Sequence, residues 1–465
     1  MRRERLPRLT ILLVLGALVL GAQSVSAQLR IVGAISGTVQ DSTGAVVPSA
    51  KVVLKDIKTG ITKEAVSTDT GTFLFSDLAV GSYNVTVTAA GFKSETLDNL
   101  SVSTSKTTDV RVTLEPGATS ETVLITSGES QTLETTSQLV ASTLASKTLN
   151  ELPLGNRGNA LALARLAPGA QPPTGGDTRY NNLPGGAVNV TVDGINDASN
   201  GFKSGGTVFF MTVPVRLGAL EEVSVETSGL GADSGAQSGA NIKFTTRRGG
   251  NQYHGSFFYE PQSERFNANS WSRNAQGLSR ALNRTQNYGG NIGGPLVPFH
   301  SWKEKLFFFA DFEKAYSPLT TPRTIKVLTP AAQAGIYTYV VNGTTNQLRT
   351  VNVLSLASAK GAPTALDPVA EAIIAINNKI PAGAAKVPST DLNRDTYTWN
   401  AENNNYAYFP ATRVDYFPTP KEQVTFAWQL RHNWQAGERR LPVPDISRTN
   451  PFRLTYFIWS AALQS

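Results

Sequence analysis

The sequence contains no cysteine and only 3 histidines in 465 residues. Without cysteine, the chain has neither disulfide bonds nor thiolate ligands for a metal ion. The histidines, His254, His300 and His432, lie far apart, and no two of them have the spacing of a zinc site. These absences exclude a zinc carboxypeptidase, and we expect neither a metal site nor a cofactor.

Motifs of other enzymes and of nucleic-acid-binding proteins are missing as well. No Gly-x-Ser-x-Gly sequence is present to carry a nucleophilic serine. The glycines at Gly229, Gly231 and Gly235 differ from a dinucleotide fingerprint because a strand, not a helix, is predicted after them. Charged residues make up 17% of the chain and are scattered, which argues against a nucleic-acid surface. We therefore expect no catalytic residue and no nucleic-acid partner.

The N-terminus holds the one long apolar run, Ile11 to Ala22, which is too short to span a bilayer. Four arginines lie within the eight residues at the start of the chain, and the small residues Val25, Ser26 and Ala27 follow the run. This order predicts a secretory signal peptide over residues 1–27, cleaved between Ala27 and Gln28. The alternative interpretation is an uncleaved membrane anchor.

Residues 28–117 contain short segments in which β-branched and aromatic residues alternate with polar ones. Turn residues separate these segments at intervals of roughly ten residues, which predicts a β-sandwich of about seven strands that ends near Gly117. The order of motifs resembles the carboxypeptidase regulatory-like domain, and it runs through Gly37-Thr38-Val39, Pro48 to Val52, Thr68 to Phe73, Leu78 to Val87 and Gly91-Phe92. The resemblance implies a transthyretin-like sandwich that acts as a non-catalytic accessory module.

Residues 118–131 form a predicted linker with one extended segment in it. This segment consists of Glu121, Thr122, Val123, Leu124, Ile125 and Thr126. One interpretation is a further edge strand or plain linker. Its place after the regulatory-like module resembles the TonB box, the segment that a TonB-type inner-membrane energiser binds. An unpaired strand would suit such binding by β-augmentation, and we call the six residues the candidate TonB box.

Residues 132–250 have a mixed pattern that predicts an α+β domain. Helices are expected over 139–152 and 159–167, and strands over 187–193, 222–227 and 241–246. The domain resembles the plug of TonB-dependent receptors of the Oar-like group. The motifs that carry this resemblance are Leu152-Pro153-Leu154, Asn156-Arg157-Gly158, Leu166 to Gly169, Val192 to Asn196, Val213-Pro214, Leu220 to Val223 and Gly239 to Ile242. The glycine-rich stretch over 229–239 departs from the family pattern, and Asp193 is interpreted as a turn residue.

Residues 251–465 predict the first strands of an antiparallel transmembrane β-barrel. Tyr253, Phe257 and Tyr259 alternate with polar residues, as expected for a strand between lipid and water. Further strands are expected over 287–292, 306–313, 406–417, 423–432 and 454–459. Asn291 to Pro295 followed by Lys305 to Phe309 resembles the first barrel strands of the Oar-like group. The fold class is therefore expected to be mainly β.

These resemblances imply a receptor in the cell outer membrane with a periplasmic N-terminal domain. Its partners would be outer-membrane lipid, the TonB-type energiser, and a large or scarce ligand such as a siderophore, oligosaccharide or peptide. A plugged barrel of this family has about 22 strands, whereas the sequence supplies about six or seven, so we expect a truncated part of a longer receptor. The alternative is a structural or adhesive outer-membrane protein that binds carbohydrate through its regulatory-like domain and transports nothing.

Overall fold

The structure is a computed structural model that describes most of the chain after its N-terminus. The described residues are 32–117, 122–126, 140–151, 160–174, 177–183, 187–197, 211, 213–228, 239–277, 279–280, 282, 284–297, 304–341, 347–378, 384–387, 389–402, 404–420, 422–435 and 452–464. The expected cleavage residues Ala27 and Gln28, His300, and Glu121 of the candidate TonB box lie outside them. No helix in the described part is long and apolar enough to cross a membrane.

The N-terminal domain, residues 32–117, is a sandwich of seven strands. In chain order they are β1 (Gly33–Asp41), β2 (Lys51–Asp56), β3 (Thr62–Val66), β4 (Thr72–Leu78), β5 (Gly81–Thr88), β6 (Ser94–Val102) and β7 (Thr107–Leu114). One sheet has the order β4-β1-β7, and the other contains β3-β2-β5-β6. The predicted sandwich of about seven strands is confirmed.

The core of the N-terminal domain follows from the period-two alternation of its strands. In β5, Tyr83, Val85 and Val87 are buried between the sheets, whereas the residues between them are half-exposed. A close contact fixes Gly37, because a Cβ atom there would lie 2.5 Å from the Phe73 ring. All members of this hydrophobic cluster lie between Ile35 and Leu114, so the domain has a core of its own.

The central domain, residues 140–250, contains a five-stranded sheet. The next strands along the chain are β8 (Thr122–Thr126), β9 (Val140–Ala145), β10 (Ala170–Thr174), β11 (Asp177–Tyr180), β12 (Val188–Val192), β13 (Ile195–Asn196), β14 (Leu220–Ser228) and β15 (Ala240–Thr246). The order β13-β12-β15-β14-β9 buries β12 and β15 in the middle. An α-helix spans Ser146–Glu151, and 3-10 helices span Ala160–Leu166 and Leu217–Ala219.

One predicted helix of the central domain is wrong in its first half. Residues 139–152 were expected to be helical, but Val140–Ala145 form a strand and the helix begins at Ser146. The strand pairs antiparallel with β14, from Ala145 opposite Glu222 to Val140 opposite Ser228. The open edge of β14 provides hydrogen-bond partners for the backbone N–H and C=O groups of this segment. Such tertiary pairing overrides a weak helical preference.

The C-terminal region contributes an open sheet of six long antiparallel strands among the described residues. The remaining strands are β16 (His254–Gln262), β17 (Thr285–Pro295), β18 (Leu306–Ser317), β19 (Thr320–Leu328), β20 (Ile336–Val340), β21 (Leu348–Asn352), β22 (Ala385–Val387), β23 (Arg394–Glu402), β24 (Asn405–Thr419), β25 (Glu422–Gln435) and β26 (Phe452–Gln464). The six-stranded sheet has the order β16-β17-β18-β24-β25-β26. Each of the six predicted barrel strands is confirmed, and each is longer than predicted.

The two faces of the six-stranded sheet differ in polarity. Phe257 and Tyr259 on β16 and Trp459 on β26 point outward and are more than half exposed. Asp311 and Glu313, on the other face of β18, are buried. An apolar outer band and a polar inner face are typical of strands that cross an outer membrane.

An insertion between β18 and β24 was not predicted as structured. It contains a three-stranded sheet, β19-β23-β22, and the hairpin of β20 and β21. Its α-helices span Pro330–Gln333, Val353–Ala359 and Pro368–Asn377, and a further short helix, Trp271–Ala275, follows β16. The insertion adds small elements at one end of the six-stranded sheet.

We expect Leu54→Ala to destabilise the N-terminal domain by about 2–5 kcal/mol, because a buried leucine leaves a cavity when it is shortened. Leu54 is 1% exposed in the core, whereas Leu74 on β4 is 62% exposed. The matched control Leu74→Ala should change the free energy of unfolding by less than about 0.5 kcal/mol. Urea unfolding of residues 32–126 measures both, and equal effects would contradict the sandwich core.

Candidate functional site

The candidate TonB box is paired in the structure. Residues Thr122–Thr126 form β8, which runs parallel to β6 from Ser94 opposite Thr122 to Asp98 opposite Thr126. The interpretation as a further edge strand therefore fits these five residues, whereas the unpaired strand that would suit β-augmentation is not found there. The physical reason is that β6 would otherwise present unpaired N–H and C=O groups at an open sheet edge.

Glu95, on β6 opposite Val123, is a buried carboxyl group beside this pairing. Burial raises the pKa of Glu95 from its ordinary value of 4.5 to about 7, and a backbone hydrogen bond from Thr113 opposes this rise. The neighbouring Glu115 carboxylate raises the pKa further. The edge that binds β8 therefore contains a group that titrates near neutral pH.

Polar contacts dock the N-terminal domain on the central domain. The Lys58 ammonium lies 3.2 Å from the Glu221 carboxylate, and the Thr104 backbone N–H donates to Glu222 Oε1 at 2.8 Å. Burial lowers the pKa of Lys58, which the Glu221 carboxylate opposes, and burial raises the pKa of Glu222. The two carboxylates at the start of β14 thus bind two separate loops of the N-terminal domain.

Arg248 makes the most buried ion pair of this interface. It is 4% exposed, and its Nη1 lies 2.8 Å from Asp56 Oδ2 at the end of β2. A Cβ atom at Gly81 would lie 2.7 Å from Arg248 Nη2, so a larger residue there would require the guanidinium to shift. Because a buried charge without its partner is costly, this pair fixes how the two domains meet.

A second arginine joins the central domain to the six-stranded sheet. Arg413 on β24 lies 2.9 Å from Asp415 Oδ2 and 3.5 Å from Asp193 Oδ1. Asp193 also accepts the backbone N–H of Thr246 at 2.9 Å and its hydroxyl at 2.6 Å. The predicted turn role of Asp193 is confirmed by its φ of 47°, but its contact with the sheet could not be predicted from the turn motif.

A third arginine lies deeper in the same interface. Arg216 forms a buried ion pair with Glu313 of β18, and its guanidinium carbon lies 4.3 Å from the centre of the Phe409 ring. Nearby, the Asn291 amide of β17 donates to the backbone oxygen of Gly218 at 3.3 Å. The central domain therefore rests on the polar inner face of the six-stranded sheet through buried, directional contacts.

A cavity of about 550 Å³ lies above Arg216, between the central domain and the six-stranded sheet. Its polar and aromatic lining includes Arg216, Glu260, Asn287, Phe409, Arg431 and Asn433. Arg431 Nε and the side-chain oxygens of Asn405 and Asn433 have no hydrogen-bond partner within the described residues. Guanidinium, carboxylate and amide groups around an open volume suit the binding of a polar ligand.

The histidines do not form a metal site in the described part of the chain. His254 lies on β16 and His432 on β25, where its Nδ1 is 2.8 Å from the Thr455 hydroxyl. No group of three or more metal-binding side chains occurs among the described residues. The functional groups that sequence reasoning missed are Arg216, Arg248 and Arg413, which carry no local motif.

We expect Arg248→Ala to weaken the docking of the N-terminal domain by about 3–5 kcal/mol, because Asp56 would stay buried without its partner. Amide hydrogen exchange over residues 56–60 and 248–251 should become faster. The control Lys51→Ala removes the exposed ion pair with Glu64, which contributes at most about 1 kcal/mol. Equal exchange in the two variants would refute the role of Arg248.

We expect the N-terminal domain to lose stability as the pH rises from about 5 to about 8. The pKa of Glu95 is raised in the folded domain, so its stabilising contribution is full below its unfolded pKa and is lost as the pH passes about 7. Glu95→Gln imitates the protonated form and should remove this dependence. Urea unfolding of both proteins across the range measures it, and parallel pH profiles would contradict the assignment.

Comparisons with known families and proteins agree with this architecture. Residues 34–115 match the carboxypeptidase regulatory-like domain, and residues 245–461 match the outer membrane beta barrel domain. The TonB-dependent transporter Oar of Myxococcus xanthus is 27% identical over 309 residues, which cover 63% of this chain and 28% of the transporter. The chain thus spans less than a third of the length of this curated relative.

Two solved structures match part of the chain at low sequence identity and with low TM-scores. The outer membrane transporter YddB from Escherichia coli is 12% identical with a TM-score of 0.39, covering 64% of this chain and 33% of its own. A mutant ferric enterobactin receptor from Pseudomonas aeruginosa, in complex with enterobactin, is 10% identical with a TM-score of 0.38, covering 69% and 38%. The two family matches and the similarity to Oar confirm the resemblances that the sequence showed for the N-terminal domain and for the C-terminal strands. The chain is thus similar to the TonB-dependent transporter Oar, and it carries a carboxypeptidase regulatory-like domain ahead of the strands of an outer-membrane β-barrel domain, which places it in the outer membrane.

Proposed function

We propose that this chain is part of a TonB-dependent receptor that imports a polar ligand across the outer membrane and performs no chemistry on it. The central domain acts as the plug, and the six-stranded sheet is part of the barrel wall around it. The observation that carries this proposal is the docking of the central domain on the polar inner face of the sheet. The buried pairs Arg216–Glu313 and Arg413–Asp193 hold it there.

These contacts suit a plug that must move and return. Buried ion pairs are directional, and they re-form only when the partners come back into register. Their net contribution is modest, because water solvates the charges when the pairs separate. A pulling force on the central domain can therefore open the lumen of the barrel. When the force ends, the same ion pairs re-form and restore the closed state.

The candidate TonB box is where we propose that this force enters. Thirteen residues, 127–139, separate β8 from β9, and β9 is an edge strand of the central sheet. A pull on the box therefore reaches β9 before any other part of the central domain. Within the central domain, the pairing of β9 with β14 is the first that the pull would disrupt.

The cavity above Arg216 lies at the end of the sheet opposite the N-terminal domain, and it supports a role in ligand binding at that end. Strand β24 places Asn405 at that end and Thr419 at the end near Asp56. The N-terminal domain would then lie in the periplasm and the cavity would face outward. Arg431 Nε and the side-chain oxygens of Asn405 and Asn433, which have no partner among the described residues, favour a siderophore, an oligosaccharide or a peptide over an apolar ligand.

We expect Val123→Pro to abolish binding of the energiser, because proline removes a backbone N–H that an added strand requires. The periplasmic domain of the TonB-type energiser from the same organism is titrated against the purified chain. The control Val123→Ile keeps the N–H and the β-branched shape and should bind normally. Binding that survives the proline would return the segment to plain linker, whereas failure of the unmodified chain to bind would leave an adhesive outer-membrane protein as the better account.

A further inference from the structure

The edge of β6 that faces away from β5 is a strand-binding site, and the strand bound there is β8. β6 pairs antiparallel with β5 on one side and parallel with β8 on the other. Five consecutive residue pairs join β6 to β8, and β8 is the last strand of the sheet. Since main-chain groups make this contact, the edge selects an extended segment by its backbone.

We propose that the β6 edge stores the candidate TonB box inside the chain, so that the energiser obtains the box by strand exchange. This inference rests on the proposed function of the box and adds its regulation. The N-terminal domain is then a competitor for the same backbone groups that the energiser binds. Its docking on the central domain keeps the competitor beside the box.

The short connection between the end of the N-terminal domain and β8 makes this storage efficient. The backbone N–H of Gly117 donates to the Gly91 oxygen at 3.1 Å, and that of Lys93 donates to the Glu115 oxygen at 2.9 Å. These bonds hold the end of the domain next to Ser94, where β6 begins. Four residues, 118–121, then lead to Thr122. A tether this short gives an effective concentration in the millimolar range, so a weak strand pairing suffices.

Storage lowers the apparent affinity of the chain for the energiser. This affinity equals that of the free box multiplied by the fraction of chains in which the box is free. A free peptide of residues 118–131 has no competitor and should bind the energiser at least tenfold more tightly than the full chain does. Conditions that release β8 from β6 would raise the affinity of the chain towards that of the peptide. The N-terminal domain thereby sets the threshold for energisation.

The absence of cysteine allows a direct test by cross-linking. Thr96 on β6 lies opposite Leu124 on β8, and neighbouring strands are about 4.8 Å apart, within the range of a disulfide. The full chain with Thr96→Cys and Leu124→Cys is oxidised and titrated with the energiser's periplasmic domain. Binding should fall at least tenfold and return on reduction.

A matched control locks a different pair with the same cysteine. Thr86 and Thr96 face each other across β5 and β6, with their hydroxyl oxygens 3.1 Å apart. Oxidised Thr86→Cys with Thr96→Cys leaves β8 free to exchange, so its affinity for the energiser should be unchanged. A loss of binding in this control would mean that rigidity of the sheet, and not storage of the box, governs the interaction.

The remaining outcomes separate the inference from the function on which it rests. Full binding by the Thr96–Leu124 cross-linked chain overturns storage, as does failure of these cysteines to cross-link. Failure of the free peptide to bind refutes the candidate TonB box instead. In that case, cross-linking and slow amide exchange over residues 122–126 still establish β6 as a strand-binding edge, and fast exchange there overturns it.

Discussion

Buried arginines at domain boundaries are the interactions on which the arrangement of this chain depends. Arg248 joins the central domain to the N-terminal domain through Asp56, and Arg413 and Arg216 join it to the six-stranded sheet. The N-terminal domain has an apolar core of its own, so hydrophobic burial alone would leave its position open, whereas the core of the central domain also includes Phe309 of β18. A guanidinium excluded from water requires its carboxylate in one geometry, and this requirement selects the observed docking.

The strands were largely predictable from the sequence because their burial alternates locally. β5 illustrates this, since its buried Tyr83, Val85 and Val87 alternate with half-exposed polar residues. Residues 140–145 show where the method fails. Their pattern fits a helix, and only the open edge of β14, some 80 residues later in the chain, makes them a strand.

The candidate site was less predictable than the fold for the same reason. Asp193 was identified as a turn residue from its neighbours, but Arg413, its partner, is 220 residues away. The pairing of Thr122–Thr126 with β6 also depends on an edge that becomes visible only once the sheet is assembled. Local sequence specifies elements, and long-range partners specify what those elements do.

The insertion between β18 and β24 has an evolutionary consequence. The two strands pair directly over twelve consecutive residues, so the membrane-facing sheet is complete without the polypeptide that connects them. The entropic cost of closing a loop rises only slowly with its length, so a longer or shorter connecting segment changes the stability of the sheet little. Natural selection can therefore exchange this module between relatives while the strands that it connects stay as they are.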